Sequence, residues 1–147
     1  MPSYRHEAST TAPIKVVWDI VQDHEGMGVL LPPGGARAGK PWLAQEGSPD
    51  RNGVGAVRRF GKMPLAERVV EFEPPHKMVY TIEEAPIQGY RGTIELSERA
   101  DGGTDIAWSG SFDKPSGVVG AVAVKALGAT VSSMLKKVVE VAETRAV

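Results

Sequence analysis

A change of period constrains this chain more than any other feature. From Gly53 to Phe112, apolar and polar residues alternate in short segments divided by turn residues. From about Ser116 to Glu143 the apolar residues recur every third or fourth position instead. Alternation marks a strand with one buried face, and the wider spacing marks a helix with one apolar stripe. The alternating part reads as strands over Val54–Lys62, Leu65–Glu73, Lys77–Glu84, Tyr90–Arg99 and Thr104–Phe112. Met63-Pro64, "EPPHK", "APIQG" and "ADGG" divide them, the last a strong hairpin signal. Along the helix, Val124, Leu127, Val131, Met134, Val138 and Val141 form the stripe. Consecutive strands on short connections make an antiparallel sheet. Such a sheet must bury one face, and the long helix is the large element available to cover it.

The N-terminal third completes the order. Tyr4–Ser9 alternates weakly and reads as an edge strand. Thr11 is an N-cap candidate with Pro13 in the first turn, and Ile14, Val17, Val21 and His24 follow at helical spacing, giving a helix from about Pro13 to Asp23. "MGVLLPPGG" adds a short helical turn before its Pro-Pro-Gly-Gly stop, and Lys40–Glu46, containing Trp42, reads as a short strand. The expected class is α+β. A curved antiparallel sheet of about seven strands wraps around a long C-terminal helix, with two short helices after the first strand. All 147 residues suit a single domain.

Composition and motifs exclude more than they assign. A formal net charge of −1 gives no electrostatic footprint for nucleic acid. The chain has no cysteine, which removes disulfides and thiol chemistry. "MPSYRHEAST" lacks a basic-then-apolar leader pattern, and Ser116–Leu135, rich in Gly, Ala and Ser and carrying Lys125, reads as a soluble helix. The expectation is a cytoplasmic protein with no stable membrane insertion, as monomer or homodimer. No HExxH, GxSxG or GxxxxGK occurs. His6, His24 and His76 are far apart. His76 sits in an exposed Pro-Pro turn, His24 closes the first helix as a cation near its carbonyls, and His6 faces inward from the first strand. Neither a metal nor a cofactor is expected.

Parity assigns the inner face. In Leu65–Glu73 the residues Glu67, Glu71 and Glu73 share one side, which is read as solvated, so Ala66, Arg68, Val70 and Phe72 point inward. An even register across the tight turn places Arg58 and Phe60 with them and sets Arg59 beside Glu67, an outer ion pair worth roughly 0.2–1 kcal/mol. Arg58 and Arg68 then stand as like charges on the inner face. Water, Glu83 or Glu84, or an acidic group on a ligand would offset them. Met78, Tyr80 and Ile82 share the inner parity of their strand, Tyr90, Ile94 and Leu96 that of the next, and Ile106, Trp108 and Phe112 that of the last.

"APIKVVWDIVQD", "GVGAVRRF", "ERVVEFEPPHKMVYTI" and "YRGTIELSERADGGTDIAWSGSF" together resemble the polyketide cyclase/dehydrase and lipid-transport branch of the START/Bet v 1-like superfamily, whose fold is the helix grip. The resemblance covers nearly the whole chain. It implies a cavity between sheet and C-terminal helix that holds a small hydrophobic or amphipathic molecule: a lipid, a polyketide or an aromatic acid. It places Leu30 and Leu31 at the pocket entrance. Phe60, Val70, Phe72, Met78, Ile94, Trp108 and Phe112 would line the sheet side, and Val124, Leu127 and Val131 the helix side. A cyclase or dehydrase built on the same cavity would use Arg58, Arg68, Tyr80 and Tyr90. In a third reading Trp18, Trp42, Trp108, Phe60 and Phe72 fill the cavity, and the protein binds a macromolecular partner.

Overall fold

The computed structural model describes residues 3–30, 40–62, 65–83, 89–112 and 117–147. Strand β1 (Ser3–Thr10) leads into helix α1 (Ile14–Val21) and a 3-10 helix over Glu25–Leu30. Strands β2 (Pro41–Gln45), β3 (Val57–Phe60), β4 (Ala66–Glu73), β5 (Lys77–Glu83), β6 (Arg91–Glu98) and β7 (Thr104–Ser111) follow, and helix α2 (Gly117–Arg145) ends the chain. Seven strands form one antiparallel sheet in the order β1-β7-β6-β5-β4-β3-β2. The first strand thus closes against the last, and β1 and β2 are the edges. Among the described residues, no helix is long and apolar enough to cross a membrane.

Local chemistry explains most boundaries. Pro13, not Thr11, occupies the N-cap of α1; its φ of −63° and ψ of 153° are extended, and no side chain caps the helix. Pro lacks an N–H, so one of the orphan donors at this helix start does not exist. Val17, Trp18, Ile20 and Val21 form the buried face of α1. On α2, Val131, Met134, Leu135, Val138 and Ala142 are buried against the sheet. The same stripe continues toward the N-terminus through Leu127 and Val124, which are half-buried, while Val122 is 63% exposed and Val118 80% exposed. Among the described residues, the helix is therefore buried most deeply over its C-terminal half and less so over its N-terminal half.

The expected register is overturned at β4. Arg58 pairs with Glu67, and Arg59 with Ala66. Val69 pairs with Tyr80 but Glu71 with Val79, which leaves Val70 as the extra residue of a β-bulge. One extra residue resets the alternation. Glu67 and Val69 therefore face inward together with Phe72, although their numbers differ in parity. Arg68 falls on the opposite face, where its Nε donates to Glu83 Oε1 at 2.9 Å. Val70, expected among the lining residues, is half-buried and lies outside the core cluster. The remaining parities hold: Met78, Tyr80, Ile82, Tyr90, Ile94, Leu96, Ile106, Trp108 and Phe112 are all buried in the core.

Candidate functional site

A single row of residues crosses the inner face. Tyr4 of β1 pairs with Gly110 of β7, Gly110 with Gly92 of β6, and Gly92 with Tyr80 of β5. The two central positions carry no side chain, so the phenol rings at either end lie down over them. A Cβ at Gly92 would stand 2.6 Å from the Tyr80 hydroxyl, and one at Gly110 would stand 2.6 Å from that of Tyr4. Both glycines are thus required by close approach. Tyr90, just before β6, adds a third phenol, its ring 6.1 Å from that of Tyr80 and 5.2 Å from that of Phe112. The Tyr4 and Tyr90 hydroxyls are hydrogen-bonded to each other, and Trp108 Nε1 donates to the Tyr80 hydroxyl at 3.0 Å. From the helix side, Gly128 of α2 lies against Tyr4 and His6. Burial raises the pKa of all three tyrosines, so they are protonated donors at any pH at which proteins are ordinarily stable.

Beside this row sits a buried ion pair. Arg58 is 3% exposed and Glu67 12%. Arg58 Nε and Nη2 both donate to Glu67 Oε1, at 3.1 and 2.8 Å. Its Nη1 donates to His24 Nδ1 at 3.2 Å. Guanidinium can only donate, so Nδ1 is the acceptor, and the proton of neutral His24 sits on Nε2, which donates to the Asn52 carbonyl at 2.9 Å. Burial first, and the Arg58 charge second, lower the His24 pKa from 6.5 to about 4. The Arg58 Cζ also lies 5.9 Å from the Tyr80 ring centroid and 5.6 Å from that of Phe60, which joins the ion pair to the phenol row.

These contacts answer what an inward arginine is for. Arg58 faces in as parity requires, but its counter-charge is Glu67, not Arg68's neighbour Glu83 and not a ligand. With His24 neutral, the group carries no net charge, and an anionic ligand head is not needed to balance it. His24 is also not the helix-end cation expected: it is 1% exposed, and burial with the Arg58 charge keeps it neutral.

Of the expected lining residues, the structure brings Arg58, Phe60, Phe72, Met78, Tyr80, Tyr90, Ile94, Trp108, Phe112, Val124, Leu127, Val131 and Leu30 to the core or its edge. Leu31 and Glu84 lie outside the described residues. Tyr4, Glu67 and His24 were missed. Tyr4 shares the parity of the inward His6, a signal present in the sequence. Glu67 was hidden by the bulge. Among the described residues no cluster of His, Asp or Glu is placed to hold a metal ion. An open groove of about 640 Å³ on the opposite face of the sheet is bordered by Arg5, Glu7, Lys77, Glu95 and Asp105, whose mixed charges face water.

The family model described as polyketide cyclase / dehydrase and lipid transport matches residues 1–143. The chain belongs to this family. Solved structures agree on the fold. A protein of Nitrosospira multiformis is 20% identical with a TM-score of 0.74, the match covering 95% of this chain and 94% of that one. A protein of Thermobifida fusca is 24% identical with a TM-score of 0.69, covering 96% and 95%. DynU16, a protein in the dynemicin biosynthetic locus, is 17% identical with a TM-score of 0.70; the match covers 99% of this chain but 49% of DynU16, so this chain spans about half its length. No curated protein matches the chain. In this polyketide cyclase/dehydrase and lipid-transport family member, the phenol row and the Arg58–Glu67–His24 group supply the polar chemistry of the inner face.

Proposed function

We propose that this protein binds a small hydrophobic or amphipathic molecule between the inner face of the sheet and the N-terminal half of α2. The observation that carries the reading is the half-sealed helix. Val131, Met134, Leu135, Val138 and Ala142 are buried against the sheet at the far end, whereas Val124 and Leu127, on the nearer part of the stripe, are only half-buried. An apolar stripe left partly uncovered at about 25 cal/mol per Å² is a cost that an apolar ligand would remove. The phenol row then meets the polar end of the molecule. Family membership supports the same reading. Native mass spectrometry of the purified protein, followed by denaturation and identification of what is released, tests it. A co-purified apolar molecule, or stoichiometric uptake of an added naphthalene probe, is the expected result. A protein that stays empty and takes up no probe would refute it.

A cyclase- or dehydrase-type activity in the same space is the second reading, favoured by one observation. Three protonated phenols converge beside a buried guanidinium, and donors of this kind polarise a carbonyl as negative charge develops on its oxygen. Tyr4, Tyr80, Tyr90 and Arg58 would carry it; Arg68, on the opposite face, would not.

A further inference from the structure

The two edges of the sheet are built differently. The β2 edge is blunted. It spans five residues, begins with Pro41, which has no N–H to offer, and shifts register between Leu43 and Gln45. The β1 edge has none of these devices. It runs eight residues from Ser3 to Thr10 without Pro, Gly or a bulge, and its pairing with β7 stays in register from end to end. Among the described residues, no backbone group outside β7 bonds the main chain of Ser3 to Ser9. Gly128 of α2 lies against Tyr4 and His6, so the helix packs on the inward side chains of this strand. The outward side chains are open, with Arg5 55% and Glu7 66% exposed.

We propose that the β1 edge pairs with the β1 edge of a second copy, antiparallel about a two-fold axis at His6, so that the two sheets run on as one. Charge selects this register. Residues opposite each other in an antiparallel pair share a face, so the strand pairs with its own copy only about one of its residues. Centring on Arg5 or on Glu7 sets like charges opposite each other, which repel. Centring on His6 sets Arg5 opposite the partner's Glu7, and Glu7 opposite the partner's Arg5. Arg5 Nε donates to Glu7 Oε1 within the strand at 2.8 Å, and no other ion pair engages either side chain among the described residues. The outer guanidinium nitrogens and the second carboxylate oxygen are therefore left for the partner. Charge of one sign along an edge would repel a second copy, whereas alternating signs make this edge complementary to itself, as a two-fold interface requires. The surface is separate from the space beneath α2, and the inference does not rest on the ligand-binding reading.

Sedimentation equilibrium of the whole chain over a wide concentration range tests it, and a concentration-dependent dimer is the expected result. Arg5→Glu and Glu7→Arg each turn both attractive contacts into repulsive ones and should weaken the dimer about ten-fold. An equimolar mixture of the two variants sets opposite charges across the axis again, so it should form a mixed dimer within about three-fold of wild-type affinity. Both side chains are exposed, so each variant should keep the wild-type unfolding midpoint. A monomer at every concentration would overturn the proposal, with the edge left for an extended segment of a different protein. A dimer that both single variants leave intact, or a mixture that associates no more tightly than either variant alone, would overturn pairing through β1.

Discussion

Arg58 donates to Glu67 and to His24 from a position 3% exposed, so its charge is balanced inside the protein. Removing one partner of such a pair leaves a buried charge uncompensated, whereas replacing both by apolar groups can be neutral. Glu67→Gln should therefore destabilise the fold by about 3–5 kcal/mol in urea unfolding, and Arg58→Met with Glu67→Leu should recover most of the loss. Additive losses in the double variant would mean that the two side chains do not act as a pair. His24 makes a second prediction. Its pKa is about 4 folded and 6.5 by reference, so the unfolded chain takes up the proton first as pH falls. Stability from neutral His24 is complete above pH 6.5 and drains between there and pH 4, by up to roughly 3 kcal/mol. His24→Gln should flatten that part of the profile, and parallel profiles would contradict the assignment. At this scale the sequence was half legible. Local alternation turned Arg58 inward correctly. It could not reveal that His24 meets Asn52 and Arg58, residues about thirty positions away, and so does not face water.

Elements were more legible than their faces. The switch from alternation to helical spacing located all seven strands and α2 to within a few residues, because burying one face imposes the period on the residues themselves. The bulge at Val70 left no such mark: Glu67, Glu71 and Glu73 look like one solvated side until one residue is taken out of the count. The glycines of β6 and β7 were equally silent, since their meaning lies in the pairing of Gly92 with Gly110. Gly92→Ala should push Tyr80 out of place and cost about 1–3 kcal/mol, an overpacking penalty. Loss of the near-ultraviolet circular dichroism of the phenol–indole group should accompany it. An unchanged spectrum and unfolding midpoint would mean the cradle is not close-packed. On α2, Leu127→Trp should fill the space beneath the open half and abolish probe uptake while the protein stays folded; uptake as in wild type would place the ligand elsewhere.

Across the whole molecule, the sheet closes β1 against β7 and presents its inner face to α2, which among the described residues is buried most deeply over its C-terminal half. The helix-grip architecture was legible because the order of periods is sufficient to specify it. The balance of charge within the site was not, because it depends on contacts made only once the chain is closed. The central claim is that a ligand enters between that face and α2. The three tryptophans report on it from different places: Trp108 is buried beside Tyr80, Trp18 packs on Phe72, and Trp42 is 45% exposed on the edge strand β2. Fluorine NMR of protein labelled with fluorotryptophan, titrated with methyl naphthyl ketone, reads all three at once. The account predicts a saturable shift of the Trp108 resonance with Trp42 unmoved. A shift confined to Trp42, or none at saturating probe, would contradict it.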